Sequence, residues 1–213
     1  MKTLFLSSAG VRFPIIKREL LKVLPKAPSQ LSLSFVNTAA NVVEDDTFSK
    51  EDEKELRNMG FSVQVVDIAG KNEGELREIL GNQDVIYVEG GNGFYLLKQV
   101  KESGFEKVIK ELIDRGVVYV GVSSGTYIAC PTIEMHEWKR VVDNRYGLES
   151  LEAMGLVPFL ISVHYNREKY RELIKRGISK TTLPVRVLTD DQALLVKDGR
   201  VTLVGDGEEV VVE

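Results

Sequence analysis

The chain has 213 residues, 43% hydrophobic and 28% charged, enough apolar content for a real core in a single domain over residues 1–213. A net charge of −4, with bases and acids interleaved as in Arg167-Glu168-Lys169, gives no electrostatic ground for binding nucleic acid or an acidic membrane. One cysteine, Cys130, excludes an internal disulfide and every multi-cysteine zinc pattern.

Short apolar runs alternate with amphipathic stretches of helical length. Residues 3–7 predict a first strand, because the apolar run from Thr3 to Ala9 is too short for a signal peptide or a membrane span. The chain is therefore expected in the cytoplasm. Residues 13–24 predict a helix, and Pro25 and Pro28 a loop after it. A strand over 31–37 is followed by a charged helix over 49–59, where Ser49 and Asp52 have the spacing of a cap. Then come a strand (62–68), a helix (73–80) and a strand (84–89) that runs into Gly90-Gly91-Asn92-Gly93. Residues 94–102 and 105–115 predict two helices separated by Gly104, and 117–122 a further strand. Such alternation indicates an α/β fold with a doubly wound, mostly parallel sheet. Beyond Ser150 the pattern predicts a short helix, a strand (159–163), a helix (167–178) and three tail strands (185–188, 193–197, 201–205). Asp198-Gly199 marks a C-terminal hairpin.

Chemistry concentrates at three strand ends. Gly121-Val122-Ser123-Ser124-Gly125 follows an apolar strand, and Gly-x-Ser-x-Gly in that setting is the sequence of a sharp turn that lifts the central Ser towards a substrate carbonyl. Cys130 is expected as a small buried hydrophobe in the helix that follows. A serine nucleophile needs a base, and the chain has only two histidines. His164 ends the apolar run Leu160-Ile161-Ser162-Val163 and is the expected base, whereas His136 sits in a charged stretch read as a loop. Candidate carboxylates between Ser123 and His164 are Glu134, Glu137, Asp143 and Glu149, and the spacing does not choose among them. The backbone N–H groups of Ser124 and Gly91 are expected to bind the oxyanion. No cluster of His, Cys and carboxylates suggests a metal, and neither a dinucleotide fingerprint nor a P-loop is present.

Four ordered segments carry a resemblance to a known family. Val88-Glu89-Gly90-Gly91-Asn92-Gly93-Phe94-Tyr95-Leu96-Leu97 is similar to the Gly-Gly-Asn-Thr-Phe-x-Leu-Leu loop of the aspartyl dipeptidase (dipeptidase E) family of serine peptidases. The elbow resembles that family's Gly-x-Ser-Ala-Gly, and Pro131-Thr132-Ile133 its Pro-Thr-Ile. Gly155-Leu156-Val157-Pro158, leading to Val163-His164-Tyr165, resembles the strand that delivers its histidine. Cyanophycinase is a more distant relative, and the implied fold is like that of class I glutamine amidotransferases.

The resemblance implies Ser123 as nucleophile, His164 as base and the Gly91 and Ser124 amides as oxyanion hole, with no cofactor. It implies a short peptide as substrate, touched by Asn92 and Arg167, with Arg167 reading an N-terminal Asp side chain through a guanidinium–carboxylate pair. The family's acid is an Asp between elbow and histidine. Counting forward from Ser123 reaches Trp138, and counting back from His164 lands beside Asp143, which is therefore preferred over Glu137. Other readings of the same residues are an amidase or acyl transferase using the Ser–His pair, or a binding protein that has lost its acid. The chain is expected to act as a monomer or a homodimer.

Overall fold

The computed structural model describes residues 2–139 and 146–212. Five strands run parallel in the order β3 (Ser62–Val66), β2 (Ser32–Val36), β4 (Val85–Val88), β5 (Val118–Val122), β1 (Thr3–Ser7). β8 (Gln192–Lys197) joins β1 antiparallel, and β9 (Arg200–Gly205) closes that edge as a hairpin. The hairpin turns on Asp198 and Gly199, both at positive φ (47° and 83°), which is the two-residue turn that matches strand twist. β6 (Leu160–Ser162) and β7 (Val185–Val187) form a separate parallel pair.

Strand periodicity sorts the core into two layers. In β4 and β5, Ile86, Val88 and Tyr119 face one layer, while Val85, Tyr87, Val118, Val120 and Val122 face the other. The first layer holds α3 (Glu73–Leu80), α4 (Gly93–Ser103) and α5 (Phe105–Asp114), and the second α1 (Pro14–Val23) and α2 (Thr47–Asn58). α5 buries Phe105, Val108, Ile109, Leu112 and Ile113, the i, i+3, i+4, i+7, i+8 set of a helix that covers a sheet. α6 (Ser124–Tyr127) and α7 (Glu134–Trp138) follow β5, and α8 (Glu168–Ile178) follows β6. No helix among the described residues is long and apolar enough to cross a membrane.

The architecture is the doubly wound α/β sheet with a C-terminal hairpin that the pattern predicts, with four local differences. α2 starts at Thr47, so Ser49 lies buried inside the helix and makes no cap. α6 ends at Tyr127, which leaves Cys130 beyond the helix but fully buried. The segment around His136 is helical, and His136 is 6% exposed. The short helix expected after Ser150 is absent. Residues 151–156 instead lie along 128–133, where Met154 N–H donates to the Ile128 carbonyl, Gly155 N–H to Cys130 and Ile133 N–H to Leu151. Those amides find partners across the chain, so a local helix has nothing to add.

Candidate active site

β5 delivers Ser123 at its carboxyl end, with φ 50° and ψ −104°. A non-glycine residue in that region is strained by about 1–3 kcal/mol and persists only where its surroundings enforce it. Here the Ser7 carbonyl takes both the Ser123 N–H (3.1 Å) and the Thr126 hydroxyl (2.8 Å), pinning the turn to β1. Gly121 and Gly125 complete it, because a side chain on Gly125 would strike the Val88 carbonyl and one on Gly121 the Gly125 carbonyl.

β4 delivers the glycine loop beside this elbow. Gly91 has φ 134° and lies so close to the Ala39 carbonyl that no Cβ fits. Ser124 Oγ donates to the Gly91 carbonyl (2.7 Å), tying loop to elbow. Among the described residues neither the Gly91 nor the Ser124 N–H donates to an acceptor. Beneath the loop, Glu89 Oε1 accepts the Gly90 N–H (2.6 Å). Burial pushes the carboxyls of Glu89 and its neighbour Asp52 upward. Asn92, expected to touch substrate, caps α4 through the Tyr95 N–H (3.0 Å) and also lines the cavity above Ser123.

His164 comes from the separate β6–β7 pair. Its Nε2 lies 3.1 Å from Ser123 Oγ, and its backbone, at φ 65°, donates N–H to Ser8 Oγ (2.9 Å). Its Nδ1 pairs with Asp190 Oδ1, which also accepts from Ser8 Oγ (3.1 Å). Arg167 Nε donates to the other Asp190 oxygen (2.9 Å). Nδ1 therefore carries the ring proton, leaving Nε2 to accept from Ser123. Burial lowers the His164 pKa to about 4 against the opposing pull of Asp190, so the ring is neutral at pH 7. Burial raises Asp190, but His164 and Arg167 outweigh it and hold the carboxylate ionised.

Asp143 lies outside the described residues. The place on Nδ1 is occupied by Asp190, which lies beyond the histidine and so outside the interval between Ser123 and His164 in which the resemblance puts the acid. β7 runs beside β6, so the residue just past β7 arrives next to the residue just past β6. The available signal is a carboxylate shortly after an apolar strand, Asp190 three residues past Val187, much as His164 stands two past Ser162. Of the other candidates, Glu134 turns to the Thr132 hydroxyl (3.1 Å).

A cavity of about 320 Å³ opens over Ser123, walled by Gly91, Asn92, His164, Arg167 and two residues the sequence reading gave no role, His136 and Lys139. Among the described residues no group of three or more His, Cys, Asp or Glu is placed to hold a metal ion.

Fold and site together define a serine hydrolase on a doubly wound sheet. The chain belongs to peptidase family S51, whose profile matches residues 4–204, and it is a serine-type peptidase. It is 31% identical over 183 residues to an uncharacterized peptidase of Listeria monocytogenes, covering 84% of this chain and 86% of the relative. Identity to a peptidase E of Streptomyces coelicolor is 28% over 188 residues, 84% of this chain and 73% of that one. The crystal structure of a candidate peptidase E protein from Listeria monocytogenes superposes with a TM-score of 0.87 at 28% identity, over 97% of this chain and all of the other.

Proposed function

We propose that the protein is an exopeptidase that removes the N-terminal residue of short peptides, with Ser123 as nucleophile, His164 as base and Asp190 as the acid. Ser123 Oγ attacks the first peptide carbonyl while its proton passes to His164 Nε2. The Gly91 and Ser124 N–H groups receive the oxyanion, and Asp190 stabilises the imidazolium without taking its proton. Collapse hands that proton to the leaving amine and leaves an acyl-enzyme, which water, deprotonated by the same His164, then hydrolyses. The wall of cationic residues around the cavity, Arg12, Lys139 and Arg167, favours substrates with an acidic N-terminal side chain.

The observation that supports this most is the 3.1 Å approach of His164 Nε2 to Ser123 Oγ with a carboxylate on the opposite ring nitrogen. A binding protein without an acid has no such relay to account for. The test uses purified protein on a panel of dipeptides, with a fluorophosphonate probe in parallel. Ser123→Ala is expected to lose hydrolysis by at least ~10³-fold and to lose labelling. Undiminished turnover in that variant would overturn the assignment of the nucleophile.

A further inference from the structure

Three cations line the cavity, and two are already neutralised. Arg12 Nη1 pairs with Asp52 Oδ2 at 2.8 Å, and Arg167 Nε with Asp190 Oδ2 at 2.9 Å. Lys139 differs from both. It is 6% exposed, and among the described residues no carboxylate lies within ion-pair distance of its ammonium. Its Nζ donates to two neutral oxygens, the Tyr127 hydroxyl and the Val163 carbonyl (2.6 Å), and it lies over the Tyr127 and Tyr170 rings at 5.1 and 5.3 Å. An ammonium has three N–H donors, so one is left over. The Val163 carbonyl belongs to the residue before His164, which places this ammonium beside the base.

A second unsatisfied group lines the same cavity. His136 is also 6% exposed, and among the described residues its Nε2, itself sealed from solvent, has no hydrogen-bond partner. Its ring stands edge-on to Phe94 at 4.7 Å and faces Tyr127 at 6.1 Å, so packing fixes where that nitrogen is. Buried polar atoms are partnered in native proteins, and a buried charge without a counter-charge is costlier still. Among the described residues, an ammonium with no counter-charge on the wall of a cavity that opens on a nucleophile describes a place where a carboxylate belongs.

We propose that Lys139, assisted by His136, is the residue that reads the acidic side chain of the substrate, and that Arg167 instead positions Asp190. This rests on the peptidase reading above and says which cation sets its selectivity. A side-chain carboxylate in this subsite takes the spare N–H of Lys139, and the neutral His136 ring, which also lines the cavity, is available to supply a further N–H. An amide isostere of the same shape brings no charge to the ammonium.

The chemistry carries a pH signature. Burial first, and then the charge of Arg167, lower the Lys139 pKa to about 7, with Asp190 pulling the other way. The remaining groups facing it are His136 and His164, both lowered to about 4, and the hydroxyl of Tyr127, raised by burial. None of these titrates between pH 6 and 8. A bound carboxylate favours the charged ammonium, so above pH 7 binding must take up a proton, and KM for an acidic substrate rises by up to about tenfold per pH unit. The α-amine of the peptide titrates near pH 8 in acidic and neutral substrates alike, so the signature is the extra rise in KM for the acidic one.

The experiment measures kcat and KM for Asp-Leu and Asn-Leu between pH 6 and 9. In the wild type, kcat/KM at pH 6 is expected to favour Asp-Leu by about 10- to 100-fold, as a charge-assisted hydrogen bond would give. Lys139→Met should erase that preference by raising KM for Asp-Leu about 10- to 100-fold more than KM for Asn-Leu. Lys139→Arg is expected to keep the preference and to make the KM of Asp-Leu follow the same pH course as that of Asn-Leu above pH 7, because a guanidinium does not titrate there. Arg167→Gln should lower kcat on both dipeptides alike. Equal loss on both substrates in Lys139→Met, or loss of discrimination in Arg167→Gln alone, would overturn the proposal, as would a wild type that cleaves both equally well. Failure of the peptidase reading looks different: neither dipeptide is cleaved, and no probe labels Ser123.

Discussion

The proposed reacting groups come from two regions built in contrasting ways. Ser123, Gly91 and Ser124 sit on loops leaving β4 and β5, strands in the middle of a seven-stranded sheet with core on both faces. His164 and Asp190 come from β6 and β7, three residues each, in a sheet of their own. The first region holds its strained turn by close glycine packing, backed by hydrogen bonds to the Ser7 and Gly91 carbonyls. The second holds its geometry by hydrogen bonds, with Ser8 at the end of β1 taking the His164 N–H and donating to Asp190. The proposed nucleophile and oxyanion donors are thus fixed chiefly by close packing, the proposed base and acid chiefly by a polar network, and the two should fail differently.

Outside the Ser–His–Asp relay itself, the larger effect is expected on the steric side. A methyl at Gly91 meets the Ala39 carbonyl and must also tolerate φ 134°. Gly91→Ala should therefore lower kcat by about 10²-fold or more, the cost of displacing one oxyanion donor, with a lower melting temperature. Steady-state kinetics and a thermal melt check both. The polar side should yield more gently. Ser8→Ala removes one hydroxyl worth about 1 kcal/mol and leaves the His164–Asp190 contact in place. A loss of about 3- to 10-fold in kcat with KM unchanged is expected. A Ser8→Ala effect as large as that of Gly91→Ala would mean that the two regions do not differ as described.

The same contrast decides how much was readable from the residues alone. Parallel strands that are buried on both faces are continuous apolar runs, and a strained turn needs Gly and Ser at set spacing, so β4, β5, the glycine loop and Ser123 are legible in order. His164 is legible because an apolar run ends at it. Asp190 is not, since its role depends on β7 pairing with β6 rather than joining the tail strands, and short strands carry little register information. Lys139 and His136 stood in a charged stretch that resembles an exposed loop. Only the packing of α7 against the cavity turns them inward. The helix expected after Ser150 failed for a related reason: long-range partners for its amides outweighed local propensity.

The most direct measurement compares Asp190→Asn with Asp143→Asn in kcat on the same peptide, with circular dichroism to confirm that both fold. An asparagine at the carboxylate of a Ser–His–acid relay costs about 10⁴-fold because it favours the wrong histidine tautomer. The expected result is a loss of that order, at least ~10³-fold, for Asp190→Asn and a change within about twofold for Asp143→Asn. A large loss at Asp143 with Asp190→Asn near wild type would contradict the central claim that the acid of this site arrives on β7.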